Sequence, residues 1–277
     1  MKRILLSLAT LFFSLTGASA DSPRFKFKTG ETLQYHIDQK TEITETVIDE
    51  KTSKPETKKV ATALDLVRQW KVSDVDAKGT ATLEMSIIKM RWEQKVGEAE
   101  ADVFDSAKPD ELNKSVMAKN VGPVLAVLTV DITGKVIAVK ETKVGPAHRF
   151  LADIPFKLAF PEGEIKENWT RDYTIQLDPP HGTGEKYAAK QTYKVIDPKN
   201  GFLIYGLTTD VTELPKGAAE QIPLIPSMQA GPLFFHAESG RYYGSRLKIE
   251  KELANHQGDG TSYKFVSTYT EDFIPAK

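Results

Sequence analysis

The stretch "GTATLEMSIIKMRW", from Gly79 to Trp92, alternates apolar and polar side chains over most of its length. Ala81, Leu83 and Met85 are separated by threonine and glutamate, and a serine follows. A period of two is typical of an antiparallel β-strand with one buried face, because successive side chains leave opposite faces of the pleat. The stretch therefore predicts a half-buried strand that begins after a glycine turn.

The same alternation recurs on both sides of this stretch. Turn signals that contain glycine separate the alternating runs, and glycine supplies the positive φ that tight hairpins need. We therefore predict an all-β fold, mostly antiparallel, in which a hairpin meander forms a curved or barrel-like sheet. The neighbouring apolar positions are Leu33, Tyr35, Ile37, Leu64, Leu66, Trp70 and Val72, and the turns are "DAKG" from Asp76, "TGK" from Thr133, "PKNG" from Pro198, "ESGR" from Glu238 and "QGDG" from Gln257.

Helix is scarce in this pattern. One candidate runs from Pro109 to Lys119, where proline opens the segment and acidic residues follow in the first turn. A second short candidate lies near Pro146 to Leu151. The predicted fold therefore includes one or two short helices beside the sheet.

Three sequence signatures occur twice in the same order. Their collinear order predicts two similar halves, residues 21–142 and 143–277, packed together because no Gly/Ser/Pro linker separates them. The alternative is a series of unrelated hairpins that share turn chemistry. The matched pairs are "GETLQY" with "ENWTRDY", "WKVSDVDAKG" with "YKVIDPKNG", and "GPVLAVLTVDITGK" with "GPLFFHAESGR".

The first twenty residues have the three parts of a secretory signal peptide. Lys2 and Arg3 precede the apolar run "ILLSLATLFFSL", and Ala18 and Ala20 supply a small-x-small ending before Asp21. The apolar run is shorter than the roughly 20 residues that span a bilayer. We predict cleavage after Ala20 and export of the mature chain to the periplasm or the extracellular space.

Composition narrows the range of functions. The chain has no cysteine, which favours a bacterial exported protein over a eukaryotic one stabilised by disulfides. Removing Lys2 and Arg3 leaves 35 basic against 38 acidic residues, a formal mature charge of -3. This balance predicts no nucleic-acid partner. No second long apolar segment follows the leader, so we expect no transmembrane segment in the mature chain.

The motifs "FKFKTGETLQY", "WKVSDVDAKGTATLEM", "DITGKV" and "ENWTRDY" extend over most of the mature chain. Together they resemble a family of exported, β-rich bacterial proteins of unknown function. The resemblance implies export and a β-rich architecture. Because its motifs are strand and hairpin signatures, it implies no catalytic residue.

No motif for catalysis, metal or cofactor binding is found in the chain. The five histidines form no His-x-x-x-His pair, and without cysteine a thiolate site is impossible. The segment "HGTGE", His181 to Glu185, invites comparison with an oxyanion or phosphate loop, but it lacks the strand-to-helix context of either. We interpret it as a hairpin connection, and we expect no cofactor.

Met90 and Trp92 are the candidate ligand-binding residues. Ile88, Met90 and Trp92 lie on the parity opposite to Leu83 and Met85. A strand whose apolar face switches in this way either bulges or is buried on both sides. We predict that Met90 and Trp92 line a pocket.

Two classes of function remain open. The first is a non-catalytic binding or envelope scaffold protein, whose sheet holds an apolar small molecule or contacts another envelope protein. The alternative is a hydrolase whose active site is assembled from distant strands. A dry apolar pocket favours the first class, whereas convergent acids or histidines in a polar cleft favour the second.

Overall fold

The computed structural model describes residues 22–108 and 118–275, and strands dominate both parts. Within these two ranges, twelve strands form one sheet. The strands are β1 (Thr32–Ile48), β2 (Pro55–Val75), β3 (Ala81–Val96), β4 (Asp102–Asp105), β5 (Val124–Val130), β6 (Val136–Thr142), β7 (Asn168–Gln176), β8 (Lys186–Lys199), β9 (Phe202–Val211), β10 (Ala230–His236), β11 (Arg241–Ala254) and β12 (Ser262–Ile274).

The sheet is a meander whose first and last strands pair. The strand order is β6-β5-β3-β2-β1-β12-β11-β10-β9-β8-β7, and β4 pairs with the end of β3. Every one of these pairings is antiparallel. Because β1 pairs with β12, the first and last strands of the chain lie side by side in the middle of the sheet. Strands β6 and β7 stand at the two ends of this strand order. The prediction of an all-β, curved antiparallel sheet is confirmed.

The helices are short. Helix α1 (His148–Ala152) lies in the second region predicted to be helical, and α2 (Ala218–Gln221) continues into a 3-10 helix (Ile222–Ser227). The first predicted helix, Pro109 to Lys119, falls mostly outside the described residues, and a 3-10 turn (Ala118–Asn120) follows there. Within the described ranges, no helix is long and apolar enough to cross a membrane.

The turns of two hairpins meet at the N-terminal segment, residues 23–28. The Phe25 N–H donates to the carbonyl of Ile132 in the β5–β6 turn at 2.9 Å, and the Lys26 N–H donates to the carbonyl of Gly240 in the β10–β11 turn at 3.1 Å. The two turn glycines of the repeated signature therefore lie against one segment. The internal duplication itself, with halves at 21–142 and 143–277, stays a prediction.

The core lies on the face of the sheet that points inward. Segment 143–167 spans the opening between β6 and β7, and its Phe156 and Phe160 are 1% exposed. The Phe156 ring lies 5.2 to 6.1 Å from rings of the N-terminal segment, β1, β2 and β11. The Phe160 ring contacts those of Trp169, Tyr205 and Phe235. A single sheet buries its apolar face in this way by curving around the segment.

A β-bulge in β3 explains the switch of apolar parity. Arg68 pairs with Ile87, whereas Val67 pairs with Lys89, so Ile88 is the extra residue. Ile88 is exposed. After the bulge, Met90 pairs with Leu66 and Trp92 with Leu64, which returns both side chains to the inner face.

Candidate functional site

A cavity of about 480 Å³ lies on the inner face of the sheet, between β7–β9, α1 and the 3-10 helix. This volume is within the range of small-molecule sites, about 300–1,000 Å³. Its lining residues come from elements far apart in the chain. They are His148, Arg149, Ala152, Asp153, Lys157, Tyr173, Ile175, Gln176, Leu177, His181, Gln191, Leu207, Thr209, Pro223, Pro226, Ser227, Gln229 and Leu247.

Other hollows differ from this cavity in their chemistry. A hollow of about 530 Å³ lies where β10 begins, and outward-facing charged residues such as Asp210, Lys248 and Glu250 contribute to its wall. A hollow of about 450 Å³ is lined by edge residues of β7 and β8 such as Asp172 and Lys190. The 480 Å³ cavity combines an apolar floor with convergent polar groups inside the sheet. We therefore place the candidate site there, although the hollow at β10 is larger.

The floor of the cavity is apolar. Ile175 and Leu177 come from β7 and the residue after it, Leu207 from β9 and Leu247 from β11. All four are at most 9% exposed. Buried Leu224 in the 3-10 helix packs into the same cluster as Ile175 and Leu177, so the 3-10 helix covers this part of the sheet. The floor offers a non-directional surface that suits a hydrocarbon chain.

Two residues of the cavity wall, His148 and Arg149, share the carboxylate of Asp178. The Arg149 Nε donates to the Asp178 Oδ2 at 3.1 Å, and the His148 Nε2 lies 3.0 Å from the same oxygen. Partial burial raises the pKa of Asp178, but the hydrogen bond from Arg149 and the charge of nearby His148 outweigh it, so the pKa is lowered. These contacts tie α1 to the residues that follow β7.

Lys157 and Asp153 form an ion pair at the cavity boundary. The Lys157 side chain is 14% exposed and that of Asp153 is 69% exposed, so the carboxylate faces open space. Partial desolvation by neighbouring protein atoms raises the pKa of Asp153. Attraction to Lys157, and then to Arg68 and Arg171, outweighs this effect, so the pKa is lowered overall. The Lys157 Nζ also lies 5.4 Å from the centre of the Tyr269 ring.

Lys157 also adopts an unusual backbone conformation. Its φ is +53°, in the left-handed region that non-glycine residues rarely occupy. Lys157 lies between Phe156 and Leu158, which are both buried in the core. The reversed backbone holds the lysine side chain toward the cavity while its neighbours face the core. Such strain persists only where the surrounding structure over-determines it.

Arg171 holds α1 against the sheet. Its guanidinium donates to Gln191 Oε1 at 2.6 Å and to the carbonyls of Leu151 and Ala152 at the end of α1. The guanidinium carbon lies 4.8 Å from the Tyr173 ring centre. Burial raises the pKa of Tyr173 to about 12, with Arg171 opposing the shift. Tyr173 therefore stays neutral at physiological pH.

A second cluster, half-buried Arg68 and buried Glu271, was missed by the sequence reasoning. Arg68 donates to the carboxylate of Glu271, which is fully buried and also accepts from the Tyr242 hydroxyl at 3.2 Å. The pair connects β2 and β12 across β1. A signal was present: Arg68 interrupts the apolar parity between Leu66 and Trp70. An ionisable residue on an apolar parity predicts a buried partner.

The predicted site residues Met90 and Trp92 lie on the inner face of β3, and both are half-buried. Neither is among the residues that line the cavity. They belong to a wall of the same concave face, because the register aligns Leu247, Tyr269, Gln39, Leu64 and Trp92 in one row across five strands. Their role in ligand binding stays a prediction.

The segment His181 to Glu185 lies in the connection between β7 and β8. The Leu177 N–H donates to the Glu185 carbonyl at 2.9 Å, and the Gly184 N–H donates back to the Leu177 carbonyl at 2.8 Å. These bonds close a hairpin turn, as interpreted from the sequence. In the part of the chain that is described, no group of three or more histidine and acidic residues is arranged to hold a metal.

Comparisons with known proteins give a fold likeness only. No protein-family model matches the chain, and no curated protein matches it significantly. A structure of lipovitellin that concerns its lipid–protein interactions is similar over 91% of this chain, with 13% identity and a TM-score of 0.50. The match covers 26% of the lipovitellin chain, so this chain spans about a quarter of its length.

A second structure is more distant. DynF from the dynemicin biosynthesis pathway of Micromonospora chersina matches over 92% of this chain and 86% of its own, with 10% identity. Its TM-score of 0.19 supports no argument about this chain. What the comparisons show is a sheet architecture similar to one part of lipovitellin.

Proposed function

We propose that this protein is a non-catalytic binding protein whose curved sheet holds an apolar ligand. The observation that carries the proposal is the inner-face cavity of about 480 Å³, with its floor of Ile175, Leu177, Leu207 and Leu247. The apolar floor is the feature that favours binding of an apolar ligand. The polar wall, which includes His148, His181 and Asp153, is the feature on which the alternative, a hydrolase, would depend. The likeness to part of lipovitellin, whose structure concerns lipid–protein interactions, agrees with this proposal as a fold likeness only.

The proposed place of action is outside the cytoplasm. This proposal rests on the N-terminal sequence, in which two cations, an apolar run and Ala-Ser-Ala follow one another. These residues lie outside the described ranges. Resemblance to exported, β-rich bacterial proteins agrees with it. The mass of the product recovered from the periplasm or the medium tests the proposal, and a product that retains Met1 contradicts it.

Native mass spectrometry of the purified mature chain tests ligand binding. We expect an adduct with the mass of a lipid or acyl chain. Ser227, on the 3-10 helix, lines the cavity and is half-buried, so Ser227→Trp places a large ring in the cavity without removing a core side chain. This variant is expected to lose the adduct.

Ser227→Ala is the matched control, because it leaves the cavity open and should retain the adduct. An adduct that persists unchanged in folded Ser227→Trp contradicts the location of the site. Turnover of an ester, a peptide or a glycan by the purified protein contradicts the non-catalytic proposal and favours the alternative, a hydrolase.

A further inference from the structure

The polar side of the cavity carries more cations than carboxylates. Arg149 and Lys157 line it with one carboxylate, that of Asp153. Arg171 and Asp178, which lie outside this lining and are bonded to residues of α1, balance each other. The neighbouring pair, Arg68 and Glu271, is balanced. This group therefore has one positive charge in excess even when both histidines in the cavity wall are neutral. A partly enclosed site strengthens the effect of such an excess, since its effective dielectric is below that of water.

Two of these cations have unused donors. The Arg149 Nε is bonded to Asp178, but its two terminal amino groups donate to none of the described residues. The Lys157 ammonium has three donors, and Asp153 is its one carboxylate partner within the described ranges. By contrast, both terminal groups of Arg171 are bonded to protein. Arg149 and Lys157 are thus the cations in the cavity wall with capacity for a further anion.

The donors and the apolar floor belong to the same cavity. Arg149 and Lys157 line it together with Ile175, Leu177 and Leu207. A charged head group needs charge-assisted hydrogen bonds to offset its desolvation, whereas a hydrocarbon chain needs only apolar area. In this cavity the cationic donors and the apolar floor occupy different parts of the wall, so one ligand can contact both.

We propose that the cavity binds a single-chain amphiphile with an anionic head group, a carboxylate or a phosphate monoester. Arg149 and Lys157 bind the head group, and the chain lies on the floor formed by Ile175, Leu177 and Leu207. This inference rests on the proposed function, because it names the ligand class of the same site. It predicts discrimination by head-group charge at constant chain length.

Isothermal titration of the mature chain with four twelve-carbon probes tests the inference. Laurate and dodecyl phosphate carry anionic heads, dodecanol is neutral and dodecylammonium is cationic. We expect the two anions to bind at least tenfold more tightly than dodecanol, and dodecylammonium to bind most weakly. The ratio of laurate to dodecyl phosphate affinity distinguishes a carboxylate from a phosphate ligand.

Substitution of Arg149 and Lys157 tests whether these two cations cause the preference for anionic head groups. Arg149→Gln and Lys157→Gln should each weaken laurate about tenfold, the order expected for loss of a charge-assisted hydrogen bond, and leave dodecanol within twofold. Arg149→Lys keeps the charge and should restore part of the laurate affinity. Asp153→Asn frees the Lys157 ammonium and should tighten laurate binding several-fold. Lys190→Gln, an exposed lysine outside the cavity, is the matched control.

The outcomes separate the two proposals. Equal affinity for laurate and dodecanol, or an equal loss of both in Lys157→Gln, overturns the anionic head group and leaves apolar binding intact. Preference for dodecylammonium also overturns it. If no probe binds folded wild-type protein, the proposed function fails and the inference fails with it. Thermal unfolding of each variant shows that the comparison is made on folded chains.

Discussion

Two parts of the concave face are built differently. At the end closed by segment 154–160, aromatic rings from both halves of the chain meet around Phe156 and Phe160. Within the same segment, Lys157 faces the other way, and its ion pair with Asp153 borders an open cavity. The closed end fixes the curvature by close packing, and the polar part keeps space that packing would fill. One sheet therefore carries both a closely packed core and the cavity of the proposed binding site.

Removal of the central ring should have the largest effect. Phe156→Ala deletes a side chain that is 1% exposed and contacts five other rings. We expect the free energy of unfolding to fall by about 3–5 kcal/mol, because a large cavity remains where neighbours cannot collapse. Urea unfolding followed by tryptophan fluorescence measures the change.

Phe202→Ala is the matched control for this prediction. Phe202 is half-buried at the start of β9 and contacts Tyr243, with ring centres 4.9 Å apart. Its loss should cost about 1–2 kcal/mol, mainly for apolar area and its two ring contacts, with Tyr243 and His236. Equal costs for the two variants would contradict the assignment of Phe156 as the centre of the core.

The buried ion pair should rank next. Glu271→Gln removes the carboxylate that faces Arg68 and leaves the guanidinium charge without a partner. We expect a loss of about 3 kcal/mol, within the range for breaking a buried pair on one side. Asp272→Asn breaks the exposed Arg246–Asp272 pair on the next residue and should cost less than about 1 kcal/mol.

Chemical denaturation of the two variants gives the comparison directly. The double variant Arg68→Met/Glu271→Gln should recover part of the loss, because no unpaired charge remains buried. A Glu271→Gln protein as stable as Asp272→Asn would show that Arg68 finds solvent or another acceptor. The buried pair would then have no role in joining β2 to β12.

Turn glycines at the closed end should show a smaller but specific effect. Gly134 has φ +89°, and an added Cβ would lie 2.5 Å from the Leu158 carbonyl oxygen and from the Phe25 ring. Gly134→Ala should cost about 2–4 kcal/mol, from left-handed strain and overpacking together. Gly97 has φ +56° with open space around it, so Gly97→Ala should cost only about 1–2 kcal/mol.

Both alanine variants carry left-handed backbone strain, but only Gly134→Ala also introduces close contacts. The difference between their losses of stability therefore measures the cost of overpacking. Thermal unfolding of both variants under one condition measures it. If Gly97→Ala is as destabilising as Gly134→Ala, the contact between the β5–β6 turn and the N-terminal segment adds nothing to stability. Gly240→Ala then offers a second test, because its Cβ would lie 2.8 Å from the Arg24 carbonyl oxygen.

Much of the fold was predictable because it depends on local alternation. The parity of Leu33, Tyr35 and Ile37 predicted the inner face of β1. The parity switch after Met85 indicated either a bulge or burial on both sides, and the structure has a bulge at Ile88. The pairing of β1 with β12 was not predictable, since it joins residues more than 200 positions apart and carries no local pattern. The same holds for the contact of Phe156 with the sheet.

The site was harder to predict for a related reason. Cavity residues such as Arg149, Lys157 and Thr209 come from α1, the connecting segment and β9, and none belongs to a motif. Parity alone identified inner-face residues without showing which part of that face stays open. Met90 and Trp92 were chosen from parity, and they lie on the inner face beside a different stretch of wall.

A final prediction concerns that stretch of wall and has the smallest expected effect. The row from Leu247 in the cavity to Trp92 crosses four strand-to-strand steps, about 19 Å at the usual spacing. Leu247 and Tyr269 in this row are buried, whereas Gln39, Leu64 and Trp92 are half-buried, so the inner face is partly open from β1 to β3. A diacyl probe, which is larger than the proposed single-chain ligand, can place its second chain along the β1–β3 part of this row while its first chain occupies the cavity. Trp92→Gln should therefore weaken a diacyl phospholipid about three- to tenfold through lost apolar contact, and leave laurate unchanged.

The measurement is titration of Trp92→Gln and Met90→Gln with a short-chain diacyl phospholipid and with laurate, beside Ser227→Trp. Ser227→Trp should weaken both ligands, because it fills the cavity that holds the first chain. Exposed Ile196→Gln, which removes apolar area on the outer face, is the control and should affect neither. If the phospholipid binds Trp92→Gln and Met90→Gln as well as it binds wild type, the β3 wall does not contact the ligand. The cavity beside β7–β9 would then hold the whole phospholipid. In that case the cavity wall is a binding surface, whereas the β3 wall is only half-exposed.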